Sequence, residues 1–235
     1  MSAKITFYIA RHGKTLMNTL DRVQGWCDSP LTDEGIKVAR CLGYGLGDIK
    51  FRSAYCSDLR RTRQTANIVL NSTDQFDISI TECAGLREAC FGSFECDFNE
   101  RMWGNAALYL QYVSGEDMYK DILKRKLSYG QVLDVIKKLD KLDMAESFAQ
   151  VEARTQETLF EIAKNETPHG DGNILVIAHG MSILCMLHNM GGDKLLNGHL
   201  ENAAVCKVTY QDGKFTIHSM GDMSYVEKGR MIDKM

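Results

Sequence analysis

The run Ile5-Thr6-Phe7-Tyr8-Ile9-Ala10-Arg11-His12-Gly13 decides how the rest of the chain is read. Residues 5–10 are mostly apolar and rich in β-branched and aromatic side chains, the composition of a buried strand. The pattern then breaks into an arginine, a histidine and a glycine. In an open parallel sheet, ligands bind beyond the carboxyl ends of the strands, so chemistry is expected at this break. Arginine offers a planar fork of donors matched to phosphate or carboxylate. Histidine offers a nucleophile or proton carrier near neutral pH, and glycine lets the backbone approach a ligand closely. Together they point to a phosphate site centred on His12.

Working outward, Pro30-Leu31-Thr32-Asp33-Glu34 starts a helix, with Thr32 as cap and two acids at the positive end of the dipole. Residues 53–56 read as a second strand. Ser57 and Asp58 follow as caps for a helix that opens with Leu59-Arg60-Arg61-Thr62 and runs through Leu70. Asp77 to Thr81 reads as a third strand, leading into an irregular stretch around Glu88. From Phe98 to Glu166 the chain is helical in character, with breaks at Gly104, Ser114-Gly115, Ser128 and Asp143. Asn173 to Ala178 is the most apolar strand; it ends in His179-Gly180 and is followed by a helix over Met181–Met190. Ala203–Tyr210 and Lys214–Met220 flank Gln211-Asp212-Gly213, a strong hairpin signal. This alternation predicts an α/β fold in three layers, α/β/α, with a mainly parallel sheet and an antiparallel edge.

A chain of 235 residues with net charge -3 has room for a sizeable core, and nothing in it suggests a nucleic-acid or membrane surface. Met1-Ser2-Ala3-Lys4 runs straight into the first strand without an apolar leader, so a cytoplasmic location is expected. The eight cysteines lack zinc-ribbon or redox spacing, and several sit in apolar runs; all are read as reduced and structural. In a parallel sheet the strand ends share one edge. That edge would gather Arg11-His12, the Arg60-Arg61 pair, Glu88 and His179 with a helix N-terminus. Such a cavity binds anions, with a carboxylic acid placed to protonate a leaving group.

At this point the chain resembles a known family, the histidine phosphatase superfamily of phosphoglycerate mutase-like proteins. The resemblance rests on five stretches in order: Ala10-Arg11-His12-Gly13-Lys14-Thr15-x-x-Asn18, Gln24-Gly25-Trp26-x-Asp28-Ser29-Pro30-Leu31-Thr32-x-x-Gly35, Ser57-Asp58-Leu59-Arg60-Arg61-Thr62-x-x-Thr65-Ala66, Leu86-Arg87-Glu88-x-x-Phe91-Gly92-x-x-Glu95, and Ile177-Ala178-His179-Gly180. It implies one domain over residues 1–235 with a helical insertion at about 97–145, where matching stops. It implies that His12 attacks phosphorus and carries the phosphoryl group, and that Arg11, Asn18, Arg61 and a protonated His179 bind its oxygens. Glu88 would be the proton donor, and Gln24 and Gly25 would line the substrate entrance. The family spacing selects Arg61 over Arg60.

The implied activity is a phosphoric monoester hydrolase acting on a small phosphorylated metabolite, with no metal and no cofactor. The runner-up is a phosphoglycerate mutase using 2,3-bisphosphoglycerate. The paired arginines and the proline-rich stretch that such mutases carry after the acid motif are missing: only Pro168 follows Pro30. A non-catalytic phospholigand-binding module is the third reading. A homodimer through a sheet edge or a helix is the open expectation for assembly. Two positions depart from the family pattern: Lys14 replaces the usual Glu or Gln and adds charge beside the site, and Cys96 replaces the usual glycine. His169, His188, His199 and His218 are assigned to structure or surface. Trp103, Tyr109 and Tyr112 are assigned to packing, and Lys124-Arg125-Lys126 to a solvated helix face.

Overall fold

The computed structural model describes residues 3–192 and 199–233; the ends of the expected domain and residues 193–198 lie outside the described residues. Strands β1 (Ile5–Arg11), β2 (Phe51–Cys56), β3 (Ile80–Glu82), β4 (Gly172–Ala178), β5 (Val205–Gln211) and β6 (Lys214–Asp222) form a sheet of order β3-β2-β4-β1-β5-β6. β1, β2, β3 and β4 are mutually parallel, while β5 runs antiparallel to both β1 and β6. The fold is therefore the expected three-layer α/β arrangement with an antiparallel edge. β1 and β4 lie side by side in the centre and are covered on both faces, which is why their sequences are almost unbroken apolar runs.

One face packs under α7 (Phe148–Glu166) and α8 (Gly180–Leu187), with Phe7, Ile9, Ile174 and Val176 meeting Leu159, Ile162, Ile183 and Met186. The other face carries α2 (Asp33–Gly45) and α3 (Arg60–Ser72), with Tyr8, Ala54, Leu175 and Ile177 meeting Leu42, Ala66 and Val69. Thr32 caps α2 as expected, its side chain accepting from the Gly35 N–H. A final helix α9 (Ser224–Ile232), which the sequence reading did not include, lies across α2. Their close approach needs two glycines: a Cβ at Gly45 would sit 1.8 Å from the Tyr225 carbonyl oxygen, and one at Gly229 would sit 1.7 Å from that of Cys41. A one-turn helix α1 (Leu16–Thr19) forms the end of the first motif.

The insertion folds as α4 (Asn99–Tyr109), α5 (Gly115–Leu123) and α6 (Tyr129–Leu139). In its core Met102, Ala106, Met118, Ile122, Leu133 and Ile136 pack together with Val23, Ala89, Phe91, Val151 and Cys185 from outside the insertion. The breaks at Ser114, Ser128 and Asp143 are real, but Gly104 lies inside α4. A glycine costs a helix only about 1 kcal/mol, and the buried face of Met102, Ala106 and Ala107 holds the turn together. The third strand is shorter than expected because only residues 80–82 reach the sheet edge. The predicted caps of α3 are also corrected. Leu59 occupies the cap position with no side-chain bond, since Asp58 is taken by Arg87 and Ser57 by His179.

Candidate active site

His12 leaves β1 at the carboxyl edge of the sheet, is only 3% exposed, and donates its backbone N–H to Ala178 of β4 at 3.0 Å. Its Nδ1 lies 2.7 Å from the Gly13 carbonyl oxygen. A carbonyl only accepts, so Nδ1 carries the hydrogen and Nε2 of the neutral ring keeps its lone pair. Burial first, then the charges of Arg61 and Arg11, hold the imidazole well below its ordinary pKa. The ring is thus a neutral nucleophile with one nitrogen fixed and the other open. Gly13 earns its place by contact: a Cβ there would lie 2.7 Å from the Gly35 carbonyl oxygen.

His179 ends the neighbouring strand, its ring centroid 5.2 Å from that of His12, yet it is held differently. Arg61 Nε donates to its Nδ1 at 3.1 Å, and Nε2 lies 2.8 Å from Ser57 Oγ. An arginine N–H can only donate, so Nδ1 holds no proton and Nε2–H must point at the serine. Burial, Arg61 and His12 keep this ring far below its ordinary pKa as well. The expectation of a protonated His179 is therefore corrected: the positive charge here is Arg61's, and the ring is neutral because it accepts from it. Arg61 itself is 0% exposed. It also donates to the carbonyls of Gly25 and Cys27 and to Asp28 Oδ1, at 2.7, 2.9 and 3.0 Å. Arg60, by contrast, is exposed on the outer side of α3, whereas Arg61 is buried against His179 and is not among the side chains that line the cleft above it.

Glu88 is buried on the N-terminus of α8. Its Oε1 accepts from the Ser182 and Ala89 N–H groups at 2.7 and 2.9 Å, and Oε2 from Met181 N–H at 3.0 Å. Burial raises its pKa above the ordinary carboxylate value, against the pull of those three donors and of Arg61. The helix N-terminus expected to cradle an anion is thus occupied by the acid, which it fixes in position.

Above these groups opens a cleft of about 700 Å³, lined by Arg11, His12, Asn18, Gln24 and Glu88 on the sheet side and by Trp103, Tyr119 and Tyr129 from the insertion. Two buried donors in it have no partner: Arg11 Nε and Gln24 Nε2. Gln24 is oriented by Thr15 and Ser29, whose hydroxyls donate to its Oε1 at 2.9 and 2.7 Å, which leaves the NH₂ end free. A buried donor without a partner is costly unless a ligand fills the gap. Asn18 lines the cleft while its Oδ1 accepts from Thr15 N–H in a capping box, so it serves as cap and as cleft residue at once.

Several expectations change. Gly25 does not line the entrance; it lies behind Gln24, where a Cβ would collide with the Ala89 carbonyl oxygen at 2.2 Å, and its own carbonyl holds Arg61. Lys14 adds no charge to the cleft because it pairs outward with Glu34 at 2.7 Å. Trp103 and His199 line the cleft instead of serving only packing or surface. Cys96 has φ +67°, which is the physical reason glycine is usual there. Sequence reasoning also passed over Ser57, Asn202, whose Nδ2 donates to the His12 carbonyl at 2.9 Å, and Arg154, which donates to the Glu88 carbonyl at 2.8 Å. Ser57 stood within a quoted motif, but nothing local marks it as a partner of His179. Among the described residues, no group of three or more His, Cys, Asp or Glu side chains is arranged to hold a metal ion. None of their helices is long and apolar enough to cross a membrane.

The family pattern described as Histidine phosphatase superfamily (branch 1) matches residues 7–223. A probable phosphoglycerate mutase GpmB of Erwinia tasmaniensis is 26% identical over 233 residues, covering 94% of each chain. The crystal structure of phosphoglycerate mutase from Bacillus anthracis str. Sterne is 39% identical, with TM-score 0.91 over 97% of this chain and 98% of that one. Phosphoserine phosphatase from Entamoeba histolytica shares the fold at 21% identity, with TM-score 0.68 over 94% of this chain and 99% of that one.

Proposed function

The chain belongs to the histidine phosphatase superfamily, and from that premise we propose that it is a metal-independent phosphomonoesterase working through a phosphohistidine on a small phosphorylated metabolite in the cytoplasm. The observation that carries this reading is the His12 ring: Nδ1–H tied to Gly13, Nε2 open, in a cleft with two unpartnered buried donors. Nε2 attacks phosphorus, Arg11 and Gln24 meet the phosphoryl oxygens with their free N–H groups, and Asn18 offers its amide beside them. Arg61 stabilises the charge that builds in the transition state. Glu88, whose pKa burial raises, gives its proton to the departing oxygen. It then takes one from the water that attacks the phosphohistidine, releasing inorganic phosphate and restoring both groups.

Likeness to the Bacillus anthracis phosphoglycerate mutase favours a second reading, transfer between phosphoglycerates. The character of the outer cleft supports hydrolysis instead. Its wall is Trp103, Tyr119 and Tyr129 with Asp21, Glu116 and Arg22, and the Arg22 guanidinium stacks on Phe98 at 4.2 Å and donates to the Cys96 carbonyl. Two carboxylates beside a single arginine there favour a leaving group without a second phosphate.

The test is phosphate release from an aryl phosphate in EDTA, beside a phosphoglycerate reaction primed with catalytic 2,3-bisphosphoglycerate. Release that survives EDTA and disappears in His12→Ala supports the proposal. Isomer exchange without phosphate release would replace it with the mutase reading. Phosphate binding with both proteins equally inert would leave a binding module.

A further inference from the structure

A second cavity of about 270 Å³ adjoins the catalytic cleft, and Tyr129, Met181 and Leu184 line both. Its volume is near the lower end of ordinary ligand pockets. Much of its wall is apolar, with Leu123 and Leu127 around the end of α5, Phe148 at the start of α7, Cys185 in α8 and Met220 in β6. Arg125, Lys126 and His188 line its polar side, with Lys126 facing Asp121 at 3.9 Å and His188 Nδ1 3.4 Å from Glu152.

The position of this cavity follows from how the proton donor is held. Glu88 is anchored to the N–H groups of Met181 and Ser182, the second and third residues of α8. Met181, Leu184, Cys185 and His188 recur at i, i+3, i+4 and i+7, so they form one face of that helix, and all four line the second cavity. A leaving oxygen within reach of Glu88 therefore sits where this apolar face begins. The remainder of the leaving group has the face and the chamber beside it to run into.

We propose that the second chamber takes the apolar body of the leaving alcohol, so that the substrate class is a phosphomonoester of an alcohol with an extended, uncharged hydrocarbon or aromatic portion. This rests on the phosphatase reading and deepens it. It sets the protein apart from an enzyme for phosphoglycerates, whose leaving group is small and anionic. Transfer of a methylene from water into such a chamber is worth roughly two- to fourfold in kcat/KM, since about 0.8 kcal/mol is the full value.

The test uses n-alkyl phosphates from ethyl to octyl, whose leaving alcohols have nearly the same acidity, so that chain length alone varies. The expected result is kcat/KM rising roughly two- to fourfold per methylene until the chamber is full. Leu123→Glu places a charge in the chamber from a half-exposed position outside the catalytic cleft. It should remove most of the gain on octyl phosphate while leaving ethyl phosphate unchanged. A flat profile with measurable ethyl phosphate hydrolysis overturns the chamber and leaves the phosphatase reading standing, as does a rise that Leu123→Glu does not alter. Absence of phosphate release from every ester, with isomer exchange between phosphoglycerates, overturns the phosphatase reading and this inference with it.

Discussion

The floor of the cleft and the wall that the insertion raises above it are built on opposite terms. On the floor, His12, Arg61, Glu88 and His179 are almost wholly buried, and, apart from the open Nε2 of His12, their polar atoms are tied to main-chain groups, to one another, or to Ser57 and Asp28. Two N–H donors, on Arg11 and Gln24, are left without partners. In the wall, Trp103, Tyr119 and Tyr129 project from helices whose core is continuous with Val23, Ala89 and Cys185 of the surrounding domain. Trp103 and Tyr129 meet edge to face at 6.4 Å. A floor organised this way can perform one operation on any phosphoryl group. A wall organised this way can change its cleft-facing side chains without removing a hydrogen bond of the floor, because none of Trp103, Tyr119 and Tyr129 bonds to His12, Arg61, Glu88 or His179.

The largest test of that division is His12→Ala, which should lower kcat by about 10⁴-fold or more on every substrate, as removal of a nucleophile does. A loss confined to one substrate would break the comparison. Glu88→Gln keeps the shape and removes the proton, and should cost about 10²- to 10⁴-fold with alkyl phosphates. The loss should shrink for p-nitrophenyl phosphate, whose leaving group needs little protonation; an equal loss on both would mean that Glu88 serves position and not proton transfer.

The pH dependence follows from the same two groups. His12 is lowered, so it stays an unprotonated nucleophile at pH values below the ordinary histidine pKa. Glu88 is raised, so it stays an acid above the ordinary carboxylate pKa. The kcat/KM profile should therefore be a bell whose optimum is acidic, and Glu88→Gln should remove its alkaline limb. Stability should move too. His12 and His179 are neutral when folded at pH values where the unfolded chain binds a proton on each. Below about pH 6.5, each lowers the unfolding free energy by about 1.4 kcal/mol per pH unit until its own folded pKa is reached. Raised Glu88 acts in the opposite sense, binding its proton more tightly when folded from about pH 4.5 up to its own folded pKa. Chemical denaturation at pH 7, 6 and 5 measures the sum, and His179→Gln should flatten it.

Smaller effects belong to the wall and to its seam with the floor. Trp103→Ala should raise KM by about tenfold or less, with kcat nearly unchanged, because it loses contact area and no reacting group. A fall in kcat equal to that of Glu88→Gln would erase the boundary between the two regions. Cys96 lies at the seam, exposed and with φ +67°. Cys96→Gly should stabilise the fold by roughly 0.5–1 kcal/mol, the relief of a left-handed β-carbon less the entropy of glycine. Thermal unfolding would show it as a rise of a few degrees, with unchanged activity.

What could be read from the sequence was whatever is encoded within a few residues. Ile5–Arg11 and Gly172–Ala178 announce themselves as central strands because both faces are buried. His12, Arg11 and His179 are legible because each follows such a strand directly. The hairpin is legible because Asp212 and Gly213 take the positive φ values, 51° and 78°, that Asp-Gly tolerates. The family, the layering of the fold and the position of the centre all follow from such local signals.

The tertiary structure alone decided how those residues are used. Arg61 meets His179 across 118 positions of chain, and Glu88 meets Ser182 across 94. Those two contacts make one histidine a neutral acceptor and turn a helix N-terminus from an anion cradle into the seat of the acid. The same holds for Gly25 behind the cleft, Lys14 turned outward to Glu34, and Trp103 in the wall. A motif fixes which groups stand at a strand's end, but protonation, orientation and exposure depend on neighbours that are distant in the chain, and only packing brings those together.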